Sequence, residues 1–162
     1  MPCITFTPED MLLKDNQHDR PLYYIGYIRS THIERIQVDS GSALSIIPKR
    51  LLYFLFITLN MLSTMTTTIY SFNAGSSHPL GKIHLQCQIR DLKSEVTCYV
   101  IDADTSYNLL LGRPWIHANW IMPSTLHQCF KYVDNKKMVR TVFAEMQPFK
   151  GIEKILHRFP TL

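Results

Sequence analysis

The sequence has no Cys-x-x-Cys pair, no apolar run of membrane-spanning length, no glycine-rich phosphate loop and no block of like charge. Each absence closes a class of function. The four cysteines, Cys3, Cys87, Cys98 and Cys129, lie far apart, whereas a structural zinc needs ligands clustered so that four converge on one small ion. His127 beside Cys129 supplies too few, so no metal site and no cofactor are expected. Cys87, Cys98 and Cys129 fall in apolar runs, where reduced cysteine behaves as a small hydrophobe. The greasiest stretch, Leu51 to Ile57 trailing weakly to Leu62, is far short of the ~20 residues a membrane span requires. The first twenty residues carry Glu9, Asp10, Lys14, Asp15, Asp19 and Arg20 rather than an apolar leader, so no signal peptide is expected and an intracellular, reducing setting is the default. No Gly-x-Ser-x-Gly elbow supports a serine hydrolase.

Charge excludes little more. The formal net charge is +4, and only Lys49-Arg50 and Lys136-Lys137 place basic residues side by side. That pattern reads as solvated surface, and nucleic acid is not among the expected partners. What is present is ordinary for a globular chain: 162 residues, 46% apolar and 19% charged, enough for one domain.

Along the chain, short β-like runs dominate. Leu22 to Ile28 and Ile33 to Val38 are rich in β-branched and aromatic residues and flank Arg29-Ser30-Thr31, which predicts a hairpin. Ala43 to Ile47 is a second short run, closed by Pro48. Leu51 to Leu62 is compatible with one helix, Pro48 lying near its first turn. Thr64 to Phe72 is threonine-rich and favours strand, Asn73 to Ser77 reads as a glycine-containing turn, and Leu80 to Arg90 returns as a strand. In that return Ile83, Leu85, Cys87 and Ile89 alternate with polar residues, the cleanest period of two in the chain. Asp91-Leu92-Lys93 reads as a turn, with strands at Val96 to Ile101 and Tyr107 to Leu111 and a short helix at Pro114 to Ala118. Leu126 to Val133 and Met138 to Ala144 flank a turn at Asp134 to Lys137. Such a succession of short strands with at most two helices predicts a mainly β, barrel-like or sandwich-like domain.

Asp39-Ser40-Gly41 carries the chemistry. An acid at a strand end, followed by a hydroxyl and a glycine, suits a tight turn that presents a carboxylate. The glycine admits a second backbone, and the hydroxyl can brace the loop. Alone, the tripeptide reads better as an ordinary Asx turn. Aspartic proteases use such a loop twice: two facing carboxylates share a proton, because like charges ~3 Å apart cannot both ionise. Asp102 and Asp104, a second acidic pair, lack a following glycine and read as a solvated loop. Tyr132-Val133-Asp134-Asn135 reads as a hairpin turn.

The surroundings of the tripeptide add order to it. Ile33 to Val38 precedes it, Ser42 to Pro48 follows, and Leu109-Leu110-Leu111-Gly112-Arg113-Pro114-Trp115-Ile116-His117 stands downstream. In these segments the chain resembles the retropepsin-like proteases of plant gypsy-type retrotransposon polyproteins, from about Arg20 to Lys131, including flanks at Arg20-Pro21-Leu22-Tyr23 and Ser124 to Lys131. The resemblance implies a mainly β, closed acid-protease barrel with a flap hairpin and one or two short helices. It implies a protease domain at 20–133, a linker or polyprotein flank at 1–19, and a hairpin and tail at 134–162.

By the same resemblance Asp39 is the catalytic carboxylate, Ser40 the bracing hydroxyl and Gly41 the close-approach glycine. Phe72, Asn73 and Gly75 lie near the tip of a substrate-covering flap (Tyr70 to Leu80). Leu110, Leu111 and Gly112 underlie the catalytic loop, and Arg113 is a structural cation beside it. One such loop per chain implies a homodimer that hydrolyses the element's own polyprotein, in the cytoplasm or within virus-like particles; no membrane partner is implied. The alternative is an inactive relic or domesticated domain, kept as a dimerisation or peptide-binding module. The chain departs from the family pattern at Ser71 and Phe56, where glycines are usual. It departs also at Ala43, where related viral proteases carry the acid that pairs with the arginine after the glycine.

Overall fold

The computed structural model describes residues 2–13, 17–63, 69–71, 75–77 and 79–148. Its centre is a closed six-stranded barrel in the order β1-β2-β8-β3-β7-β6, where β1 is Leu22–Ile28, β2 Thr31–Val38, β3 Ser45–Pro48, β6 Gly81–Ile89, β7 Leu92–Ile101 and β8 Leu109–Leu111. Closure comes from β1 against β6, where Tyr27 pairs with Gln88 and Ile28 with Cys87. Gly26 makes that seam possible: a Cβ there would stand 2.4 Å from the Gln88 carbonyl oxygen. The β6–β7 hairpin is the longest pairing, running from Gly81↔Val100 to Ile89↔Leu92. As the alternation predicts, Leu85, Cys87 and Ile89 are buried while His84 and Gln86 are exposed.

A main core gathers Leu22, Tyr24, Ile36, Val38, Ile47, Leu109, Leu111, Trp115 and Phe130, among others. A second, smaller cluster joins Tyr23, Ile46, Ile101, Tyr107 and Leu110. Successive residues of a strand point to opposite faces, so Leu110 enters one cluster and its neighbours Leu109 and Leu111 the other. Both faces of β8 are thereby covered, which its uninterrupted leucine run requires.

Several elements differ from the sequence expectation. The helix after Pro48 stops early: α1 is Lys49–Phe54, and a 3-10 turn at Leu59–Met61 follows. The predicted turn at Asn73 to Ser77 is partly strand, because β5 (Gly75–Ser77) pairs with β4 (Ile69–Ser71). β7 begins at Leu92 rather than Val96, so the turn shrinks to Arg90 and Asp91. Beyond α2 (Arg113–Ala118) a three-stranded sheet runs β11-β10-β9, with β9 at Met122–Ser124, β10 at Cys129–Val133 and β11 at Val139–Phe143. Its central strand sends Phe130 and Tyr132 into the main core, and Val142 and Ala144 join them. Residues 134–144 therefore fold with the body. Among the described residues, no helix is long and apolar enough to cross a membrane.

The N-terminal segment packs on this sheet's other face. Lys131, on β10, is buried; its ammonium donates to the Thr5 carbonyl at 2.9 Å and pairs with Asp10 at 3.0 Å. The Leu12 amide donates to His127 O at 3.2 Å.

Candidate active site

β2 delivers Asp39. Its last residue, Val38, pairs in parallel with Leu111, and the Asp39 amide continues the ladder by donating to the Leu111 carbonyl at 3.0 Å. The chain then turns sharply. The Ser42 amide donates to Asp39 O at 3.2 Å, and the Gly41 amide donates to Asp39 Oδ1 at 2.8 Å. The carboxylate is half-buried, one oxygen held by backbone, while Ser40 and Gly41 are exposed. Among the described residues Asp39 forms no ion pair.

The floor of this loop is an inserted strand. β8 lies between β2, to which it is parallel, and β3, to which it is antiparallel, so the two strands flanking the Asp39 loop are joined through Leu109–Leu111. Gly112 follows and allows the tightest approach in the region. A Cβ there would meet Leu44 O at 2.3 Å and Ser42 O at 2.9 Å. Its amide donates to the buried Ser45 hydroxyl at 3.0 Å. Arg113 closes the arrangement twice, its amide donating to Ser42 O at 2.9 Å and its guanidinium Nη1 to Ser40 O at 3.0 Å. Leu111, Gly112 and Arg113 thus adjoin the loop, Leu110 pairs with Ile46 on the neighbouring strand, and Arg113 bonds a backbone carbonyl rather than an acid.

Other supports carry no obvious signal in the sequence. Ser42 Oγ donates to Leu44 O at 2.6 Å. Arg50, read above as half of a solvated basic pair, is half-buried and holds the chain leading into β8. It donates to Thr105 Oγ1 at 3.0 Å, to Tyr107 O at 2.9 Å and to Asn108 Oδ1 at 2.9 Å. Asn108 in turn donates to Glu34 O at 2.7 Å and, through its amide, to Arg35 O at 3.0 Å. Those carbonyls are freed because β2 carries a bulge there, with Arg35 at φ 51. Burial pushes the Tyr107 phenol up to about 12; the Arg50 charge opposes that push and the Asp39 charge adds to it. The phenol therefore stays protonated within electrostatic reach of the carboxylate.

Of the expected flap residues, Phe72 and Asn73 lie outside the described residues. Gly75 sits in β5, opposite Ser71. Asp102 and Asp104 are exposed, and Asp134 terminates a hairpin by accepting the Lys136 and Met138 amides at 2.9 Å each. Cys87, Cys98 and Cys129 are buried free thiols and Cys3 is exposed. No group of three or more potential metal ligands occurs among the described residues.

No family model matches the sequence, and no curated protein matches it. Solved structures do. The chain is similar to the retroviral protease-like domain of Ddi1 from Leishmania major, with TM-score 0.57 and 21% identity over 77% of this chain and 96% of that one. It also matches a retropepsin-like aspartic protease from Rickettsia conorii, with TM-score 0.45 and 18% identity over 64% of this chain and 75% of that one. The EIAV protease matches with TM-score 0.49 and 14% identity, over 63% and 90%. The structural neighbours are retropepsin-like aspartic proteases, and the fold of this chain, a mainly β domain around a closed barrel with few short helices, is retropepsin-like.

Proposed function

We propose that this chain is one half of an aspartic endopeptidase, completed when two copies bring their Asp39 carboxylates together on a two-fold axis. The observation that carries the reading is the Asp39 loop itself. Its carboxylate is fixed at a strand end by the Gly41 amide, no cation neutralises it among the described residues, and the Ser40-Gly41 edge is open to a second chain. No other Asp-Ser-Gly or Asp-Thr-Gly occurs in these 162 residues, and in this reading the second acid comes from another copy, as a closed C2 assembly supplies it.

Two such carboxylates share one proton. The ionised one draws a proton from a water, the water oxygen attacks the peptide carbonyl, and the protonated one donates to the carbonyl oxygen. The resulting diol then collapses, the C–N bond breaking as the first acid passes its proton to the leaving nitrogen and the second takes one back from a diol hydroxyl. Gly41, without a Cβ, admits the partner loop, and the Ser40 hydroxyl braces the pair. Phe72, Asn73 and Gly75 cover the bound peptide, which lies extended and hydrogen-bonded like an added strand. The substrate in this reading is the polyprotein of a retrotransposon, cut in the cytoplasm or within a particle.

A second reading, a domain that keeps the fold but not turnover, draws on Phe56. A residue 87% exposed and held at φ 56 is a departure a domain under relaxed constraint tolerates.

The experiment is cleavage of a peptide library at mildly acid pH by wild type and Asp39→Asn, with the oligomeric state measured in parallel by sedimentation. Cleavage lost in the variant, at a rate rising as the square of dilute enzyme, establishes the dimeric protease. A folded, dimeric wild type that cuts nothing leaves the second reading.

A further inference from the structure

Two cations far apart in the sequence, Arg29 and Lys93, are brought by the barrel to one sheet face. Register pairing sets His32, Tyr27, Gln88 and Lys93 in a single row across β2, β1, β6 and β7. In the next row Gln86 pairs with Glu95, and the Arg29 amide donates to Gln86 O at 3.1 Å. Register partners share a face of the sheet, and here it is the outer one, since Cys87 between the two glutamines is buried. Tyr27, Arg29, Gln86, Gln88, Lys93 and Glu95 line a cleft of about 610 Å³ on this face.

Tyr27 is the unusual member. A large aromatic side chain 47% exposed, it stands mid-row with the His32 ring edge-on at 5.7 Å. Arg29 and Lys93 are exposed in the same cleft and form no ion pair among the described residues. The one carboxylate of the cleft, Glu95, is engaged sideways by His84 Nε2 at 3.2 Å. Gln88 donates its amide to Arg90 O at 3.0 Å, which leaves its side-chain carbonyl as an acceptor. Lys93 lies two strands from Tyr27, about 10 Å away at ordinary sheet spacing.

We propose that this face binds single-stranded nucleic acid, one base stacking on Tyr27 and the flanking phosphates meeting Arg29 and Lys93. A sheet that exposes a ring among cations and amides can hold any unpaired base, because every base has a stacking face. A duplex hides those faces. An acidic peptide would use the cations but has no need of the ring, which is why nucleic acid is the better fit. The site is independent of the proposed protease chemistry: the turn carrying Arg29 and Asp39 lie at opposite ends of β2, roughly 25 Å apart at the rise of an extended strand.

The test is fluorescence anisotropy of the full chain with a short labelled oligouridylate across a salt series. Saturable binding that weakens with salt is expected. Tyr27→Ala should weaken it by about fivefold or more while Tyr27→Phe retains it. The double variant Arg29→Ser with Lys93→Ser should flatten the log–log salt dependence by about 1.4. Both positions are exposed, and thermal unfolding checks that the variants fold. The proposal is overturned by absent binding at low salt, by binding indifferent to Tyr27→Ala, or by polyglutamate competing as well as unlabelled oligonucleotide, which would make the face a plain polyanion or acidic-peptide surface.

Discussion

Arg113 donates to the carbonyl oxygen of Ser40 at 3.0 Å across 73 positions of sequence, so the residue after the β8 glycine directly grips the loop that presents Asp39. A charged donor to a neutral acceptor contributes about 1.5–3 kcal/mol when well shielded, and this one is half-exposed. Arg113→Gln should therefore lower the unfolding free energy by only about 1 kcal/mol. Its larger effect should fall on cleavage, because the freed Ser40 carbonyl lets the loop reorient. Urea unfolding together with kcat on one peptide checks this. Equal proportional losses in both would refute a positioning role.

Gly112 and Gly41 make a contrast that separates folding from chemistry. At Gly112 a methyl group would stand 2.3 Å from the Leu44 carbonyl oxygen, an atom fixed in the backbone. Gly112→Ala should cost about 3 kcal/mol or more and appear mainly as insoluble protein. At Gly41 the nearest atom is Asp39 Oδ1 at 3.1 Å, the end of a side chain that can give way. Gly41→Ala should stay folded, with a Tm within a few degrees of wild type, yet lose cleavage, because what gives way is the carboxylate. A Gly41→Ala protein that cleaves at the wild-type rate would argue against Asp39 as the reacting group.

How much of this was legible in the sequence depended on where each signal resides. The alternation in β6 was readable because one sheet face is buried and the other wet, and Asp39 at a strand end was readable because side chains carry it. The grips on the loop were not. The Arg113 partner is a carbonyl, and any residue supplies one. Ser45 reads as an interruption in an apolar run until Gly112 is seen to donate to it. Arg50 looked like a solvated cation because the loop it ties, Thr105 to Asn108, is more than fifty residues away. β9 leaves no signal because Met122-Pro123-Ser124 is too short to show a period and contains a proline, which only an edge strand accepts. The sheet face around Tyr27 was equally hidden, since its members come from four strands.

The break in the Leu51 to Leu62 segment has a local cause that can be tested. The Ile57 amide donates to Leu52 O at 3.0 Å and the Phe56 amide to Tyr53 O at 3.3 Å, the paired bonds that end a helix through one left-handed residue. That residue is Phe56, at φ 56, in a conformation natural to glycine. Its ring gains little in return, being 87% exposed. Phe56→Gly should therefore raise stability by about 1 kcal/mol, with a Tm higher by about 2–4 °C for a domain of this size. A lower Tm would mean that the ring contacts something in the assembled protein.

The contact between Asp10 and Lys131 sets a pH window for how the N-terminal segment holds to β10. The Asp10 carboxyl is held below its ordinary 3.8 by the Lys131 hydrogen bond first and the Thr7 amide next, against a smaller opposing effect of burial. A depressed folded value means that the carboxylate's contribution is complete above the unfolded value near 3.8 and disappears as pH falls through the lower folded value. Asp10→Asn should accordingly be less stable than wild type by a constant amount from neutral pH down to about pH 5, leaving the buried Lys131 ammonium without its counter-charge. Below about pH 4 the two should converge, as wild type loses what the variant never had. Urea unfolding of both proteins over that range reads the gap directly. A gap that persists unchanged to about pH 2 would show that the Asp10 carboxylate does not hold the segment through its charge.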